Sequence, residues 1–568
     1  MEDPNINLNL ILGTCVIMNS SISCKEQLMA DYDETEVFLM KKQAVKKMMM
    51  AAAIFSLGIS MAACGSSENA QSSDAAAQTV VESMASEDSQ EGQATAEEQT
   101  IDGQAATAAQ EGDGQRPEGG EEPPEKPDGE RPGDPPGGFD GGETPPGGFG
   151  GGNGGGFGGG SSGADIDYAG ATEVTAAQSQ SGKVYSSTTA DESALLIATG
   201  DAVTIDSPTV TKTGDSDGGD NCNFYGLNAA VLVKDGSVTT ITGGTITSDA
   251  DGANGVFSYG GNGGQNGAAG DGTTVIISDT VITTAGDGSG GIMTTGGGIT
   301  KASNLTVTTG GRSSAAIRTD RGGGTVMVDG GTYTTNGLGS PAIYSTADVS
   351  VSNATLVSNL SEGVCIEGKN SITLTNCNLT ANNTKRNGNA TFLDSIMIYQ
   401  SMSGDADSGT SSFTMTGGTL TSKSGHVFHV TNTNAVITLN GVKIVNEDMD
   451  DVLLSVCDDG WSGASNVATL NADGQELSGR ILVGSNSQLT LNLTDGSSFT
   501  GSITGSIENA GGEIVSAEAG TVSVTLEGGS SWTLTEDSYV TSFTGDAGSV
   551  IGNGYVLYVN GVALAGTK

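Results

Sequence analysis

The stretch SPAIYSTADVSVSNATL, residues 340–356, alternates apolar and polar residues on either side of one asparagine. Such alternation marks a strand with one buried face. Asn353 tolerates a left-handed backbone, so it predicts a tight corner between two short strands. Relatives of this pattern recur: VTIDSPTVTK (203–212), TTITGGTITS (239–248), VIISDTVITT (275–284), TKASNLTVTT (300–309), VMVDGGTYTT (326–335), VSVSNATLVS (349–358), ITLTNCNLTA (372–381), FTMTGGTLTS (413–422) and ITLNGVKIVN (437–446). The intervals between starts are 36, 36, 25, 26, 23, 23, 41 and 24 residues. Self-similarity near a fixed period predicts a solenoid.

The third position is apolar in every copy, from Ile205 through Ile277, Val328 and Val351 to Leu439. So is the eighth, from Val210 through Tyr333 and Leu356 to Ile444. The fifth is Gly or Asn in seven of nine copies, which places the corner there. A coil of about 23–26 residues with three short strands, stacked at about 4.8 Å, is the parallel β-helix. The longer intervals predict loops extruded from a coil. Helical repeats are excluded by the β-branched content and the alternation. A propeller is the second choice.

The repeat texture over roughly residues 190–568 resembles the right-handed parallel β-helix (pectin-lyase-like) proteins, especially Gly/Thr/Ser-rich surface lipoproteins of Gram-positive gut bacteria. That resemblance implies an all-β solenoid and leaves activity open. The expected coils run over 166–446. Residues 447–568 change the spacing and read as terminal coils and cap, since a solenoid end must hide its open sheet edge.

Upstream, MKKQAVKKMMMAAAIFSLGISMAACGSS begins at Met40. A basic start, an apolar run and small residues ending at Cys64 are the order of an export signal. The run is short for a membrane span of about 20 residues. Met61-Ala62-Ala63-Cys64 resembles a bacterial lipoprotein box, which implies lipidation of Cys64 and an extracellular protein anchored to the cell membrane. Residues 40–63 are the expected lipoprotein signal peptide, and 1–39 a non-native upstream extension. Residues 64–165, rich in Gly, Pro, Glu and Asp, lack hydrophobic periodicity and are expected to form a disordered tether. About 100 residues of coil reach roughly 50–60 Å.

Removing residues 1–63 takes away 5 of 22 basic and 7 of 67 acidic residues and leaves a net charge of −43. Such a surface repels nucleic acid, so no nucleic-acid partner is expected. Beyond Cys64 only Cys222, Cys365, Cys377 and Cys457 remain, which reads as buried free thiols rather than a disulfide framework.

A further strand precedes several corners, as in AAVLVK, GVFSYG, GGIMTT, AAIRTD, PAIYST and VCIEGK. With Val231, Val256, Ile292, Ile317, Ile343 and Ile366 facing the core, their successors form an outward column: Leu232, Phe257, Met293, Arg318, Tyr344 and Glu367. Two residues on lies a parallel column of Lys234, Tyr259, Thr295, Asp320, Thr346 and Lys369. Phe257, Tyr259, Arg318, Asp320, Tyr344, Glu367 and Lys369 are thus candidate ligand-binding residues. Aromatic faces beside charged groups suit a sugar chain. The competing reading is a plain solvated sheet face. Asp215, Asp251 and Asp287, each 36 residues apart, predict a carboxylate ladder. With Asp217 and Asp220 nearby, it is a candidate Ca²⁺ site, since that cation takes six to eight oxygens. The competing reading is turn-forming Asp-Gly on a wet edge.

Evidence for catalysis is thin. Polysaccharide lyases of the resembled fold use carboxylate-bound Ca²⁺ and an Arg or Lys base, and only Arg318 with Asp320 imitates this. His426 and His429, in SGHVFHV, are the chain's two histidines, and alternation would expose both. The expected function is a monomeric, non-catalytic, adhesin-like lipoprotein whose β-helix binds polysaccharide or a host or cell-wall surface. The alternatives are a polysaccharide lyase or glycoside hydrolase, and a structural spacer.

Overall fold

A computed structural model of the chain describes residues 166–216, 219–461 and 465–568. The predicted signal peptide, Cys64, the tether and Asp217 lie outside the described residues. Each coil begins with a strand that runs into a left-handed corner. Asp348–Ser352 leads to Asn353 at φ 56°, and Thr355–Ser358 leaves it. A loop then carries the chain to Val364–Glu367 and on to the next coil at Ser371–Thr375.

All nine predicted corners have positive φ, from 50° at Ser207 to 71° at Gly330. Ser207 and Asp279 do so without being Gly or Asn. The corner is therefore a property of the coil, and short polar side chains satisfy it.

Stacking these coils makes three parallel sheets of 14, 10 and 15 strands. The first, here the leading sheet, holds the strands before the corners. The second, the trailing sheet, holds those after them. The third is the roofed sheet. Ile205, Ile241, Ile277 and Ala302 stand in register down the leading sheet, and Val328, Val351 and Leu374 continue the row. Third and eighth positions are buried throughout, except Ile444, which is only partly covered. They belong to one core that runs from Val174 to Leu557. The fold is a parallel β-helix.

Polar ladders staple the coils where the sheets stop. The Ser289 amide donates to Ser314 Oγ and the Ser314 amide to Ser340 Oγ, both at 2.9 Å. These buried hydroxyls satisfy backbone groups that no sheet pairs.

The altered spacing beyond residue 447 has a structural cause. The trailing sheet ends at Lys443–Asn446, and later coils keep two sheets. Their strands lengthen to 8 residues, as in Asn466–Asp473 and Glu476–Val483. A small sheet of Ser538–Val540, Leu557–Val559 and Val562–Ala563 closes the end. Cys222, Cys365, Cys377 and Cys457 are buried.

Candidate functional site on the roofed sheet

The predicted outward column exists, but its register and exposure differ from expectation. Down the roofed sheet, Leu232, Phe257, Met293, Arg318 and Tyr344 pair in turn. The next member is Cys365, followed by Met397, His429, Ser455 and Leu482. Glu367 instead pairs with Tyr399. The core partner of Ile343 is Val364, not Ile366. A two-residue slip keeps the same face inward, so alternation could not detect it.

The column was expected to face solvent, but it is buried. Phe257 and Met293 are fully buried, Tyr344 is 3 % exposed, Arg318 6 % and Glu367 1 %. The extruded loops fold back over this face. A short helix, Asp220–Tyr225, brings Phe224 and Tyr225 onto Leu232, Phe257, Tyr259 and Met293. Arg321 lies 4.1 Å over the Phe224 ring and donates to Asp405 at 2.6 Å, tying that helix to the loop around residue 405.

Four of the seven predicted ligand residues meet under this roof. Arg318 donates to Asp320 at 2.8 Å, to Asn223 of the helix at 3.0 Å and to the Ser313 carbonyl at 3.1 Å. Its guanidinium lies 5.9 Å from the Tyr344 ring. The Tyr344 hydroxyl donates to Glu367 at 2.5 Å, and Tyr399 donates to the same oxygen at 3.1 Å. Ser401 and Ser403 donate to the other oxygen of Glu367. Burial pushes Asp320 up to about 7, against the pull of Arg318. Burial also raises Glu367, while donors from Ser401 and Tyr344 hold it back. Phe257 and Tyr259 sit in the neighbouring aromatic cluster. Lys369 stands apart, half-exposed, in an ion pair with Asp407 at 2.8 Å.

Further along lies a group that sequence reasoning missed. His426 and His429 both direct Nδ1 at Ser455 Oγ, each at 2.7 Å. His429 Nε2 is 3.3 Å from Asp459, which also accepts from the Thr391 amide and hydroxyl. Phe392 lies against both imidazoles, at 5.4 and 4.8 Å. The expectation that both histidines would be exposed fails because the loops cover this face, leaving His429 buried and His426 only partly exposed, while Val427 and Phe428 both enter the core. That break in alternation puts His426 and His429 on the same outer side, where the roof covers them.

Burial lowers His426 to about 3, with help from His429. Burial raises Asp459, but His429 and Thr391 outweigh it and leave the carboxyl below its usual range. Glu362 and Asp394 are both raised by burial, and neither oxygen of Asp394 has a hydrogen-bond partner among the described residues. Ser455 and His429 are fully buried, so this hydroxyl cannot meet a substrate here. A signal existed in the sequence: DSIMIY, HVFHVT and VLLSV continue the same strand position as PAIYST.

The carboxylate ladder is in register and serves the backbone. Asp215 accepts from the Asp251 amide at 2.9 Å, Asp251 from the Asp287 amide at 2.7 Å, and Asp287 from the Arg312 amide at 2.7 Å. Asp220 opens the short helix instead of joining the ladder. Among the described residues no group of three or more His, Cys, Asp or Glu is placed to hold a metal ion.

The other two sheets carry open outer faces. On the leading sheet a shallow depression of about 370 Å³ is lined by Lys301, Met327, Asp329, Ser350 and Thr373. The trailing sheet shows threonines to solvent along most of its length. Fold and faces together define a parallel β-helix with one covered and two open sides. No protein-family model matches the chain, and neither the curated proteins nor the solved structures contain a match to it.

Proposed function

We propose that this chain is a cell-surface lipoprotein of the pectin-lyase-like kind that binds carbohydrate without cleaving it. The observation that supports this is the contrast between its faces. Catalytic-type side chains on the roofed sheet spend their hydrogen bonds on one another, and Arg318 is locked between Asp320 and Asn223. The leading and trailing sheets offer hydroxyl, amide and a few apolar side chains to solvent. An extended polymer lying along such a face meets the same groups at every coil. The lipobox-like Met61–Cys64 segment and the acidic composition suit display outside a cell. The test is retention of the purified protein on immobilised glycans, with the products analysed. Binding without new reducing ends or unsaturated sugars is expected. Turnover would overturn the reading.

One observation favours a glycoside hydrolase as the second reading. Glu362 and Asp394 are buried carboxyls with raised pKa, and among the described residues Asp394 has no hydrogen-bond partner. A buried carboxyl held protonated beside a second carboxyl is a tool of that reaction. The roof would have to lift first. Activity abolished by Asp394→Asn would establish this reading.

A further inference from the structure

We infer that the open face of the trailing sheet is the contact surface for a flat, uncharged, insoluble polysaccharide. This rests on the carbohydrate-binding reading above and assigns it a place and a ligand class.

The face is a two-rank array. In eight successive strands, from Thr209–Thr213 to Thr419–Ser422, thirteen of the sixteen outward positions in the two ranks are threonine. Pairs such as Thr245 with Thr247, Thr306 with Thr308 and Thr332 with Thr334 repeat from coil to coil. Coils stack about 4.8 Å apart, and residues i and i+2 lie about 6.6 Å apart along a strand. These eight strands give a face about 34 Å long at that spacing.

Threonine suits any exposed strand, so β-propensity is the plain explanation. The leading sheet is a control within the same molecule. Its strands come from the same coils and are equally open. There only seven of the sixteen matching positions are threonine, and Asp206, Lys301, Ile276, Met327 and Asp329 interrupt them. Propensity alone would have treated both faces alike.

Two more observations define the occupant. The eight strands place no charged side chain in either rank, although the chain carries a net charge of −45; the charges on this face, Asp249 beyond the second rank and Lys443 on the adjoining strand, border the array. The acidic chain repels pectate-like polyanions, and the array offers a cationic polymer no ion pair of its own, so the chemistry of these two ranks suits a neutral partner. Second, among the described residues these thirteen hydroxyls make no hydrogen bond to the protein. By contrast Thr284, Thr309 and Thr335, turned inward on the same strands, each donate to a carbonyl at 2.5 Å. The outer hydroxyls are left to solvent.

Each exposed hydroxyl offers only a small net gain, since water competes for it. Binding becomes appreciable when many act at once, which requires a partner as rigid and periodic as the array. A soluble glycan would lose too much chain entropy to lie flat. Packed neutral polysaccharide chains present hydroxyls and C–H faces at fixed intervals without that loss.

The experiment is co-sedimentation of the purified full chain with microcrystalline cellulose and with chitin powder. Wild type is expected in the pellet. Thr308→Asp with Thr334→Asp should weaken retention about tenfold or more, since it breaks both the rank and its neutrality. Ser350→Asp with Thr373→Asp, on the leading sheet, should bind as wild type. Matching melting curves for both double variants show that each is folded. Equal retention of the Thr308/Thr334 variant, or no retention of wild type on either solid, overturns the inference. Soluble glycans bound equally by wild type and both variants would leave carbohydrate binding standing and remove the array. A dimer lost in the Thr308/Thr334 variant would make the face an interface between copies, and shaping of ice crystals without retention on either solid would assign it to ordered water. Both overturn the polysaccharide.

Discussion

Asn353 shows how much one residue carries in this fold. Its φ of 56° turns the leading strand into the trailing one. A β-branched side chain there clashes with the backbone, so Asn353→Val should cost about 1–2 kcal/mol, whereas Asn353→Gly should be near neutral. Urea melts of both variants measure the difference. Tyr344 makes the same point for the roof. It is 3 % exposed and donates to Glu367 at 2.5 Å. Tyr344→Phe removes that donor and leaves the carboxylate underserved, which should cost about 1–3 kcal/mol. A loss well below that range would mean that Ser401 and Tyr399 suffice.

At the scale of the element, the roof loops decide what the roofed sheet can do. They bring Asn223, Phe392, Thr391, Ser401 and Asp405 over strands that would otherwise face water. Their burial sets two opposite pH responses. His426 is held at about 3, below its ordinary 6.5. Its neutral form stabilises the fold above 6.5, and that contribution is lost as pH falls toward 3. Asp320 is pushed from 3.8 to about 7. Its contribution is present below 3.8 and lost as pH rises through about 7. His426→Gln should therefore remove part of the acid-side loss. Asp320→Asn should flatten the fall toward neutrality. Urea melts from about pH 3 to about pH 7 separate the two; unchanged slopes in either variant would sink the assignment for that residue.

For the whole molecule, the question is how so acidic a chain stacks its coils. Asp215, Asp251 and Asp287 each bind an amide of the next coil, so these carboxylates join coils as well as repel one another. Charge–amide bonds of this kind are stronger than neutral ones. EDTA should accordingly move the melting midpoint by less than about 2 °C. A larger fall would restore calcium as a structural ion. Stability in such a stack is a sum of coil and neighbour terms. Damage in one coil should therefore spread to its neighbours before it reaches the ends.

The repeat by itself determined the solenoid, its apolar third and eighth positions and its corners. Each of these is a local rule written nine times, and a rule repeated at a fixed period implies its own stacking. The Asp ladder was legible for the same reason. Only the tertiary structure decided which faces meet water. Glu367 and Cys365 exchanged places through a slip that preserves alternation, and His426 joined His429 because Val427 and Phe428 both turned inward. Above all, the return path of an extruded loop depends on contacts with side chains remote in sequence, such as Arg321 with Asp405 or Thr391 with Asp459. No period encodes those meetings, so the column read as an open groove is a buried seam.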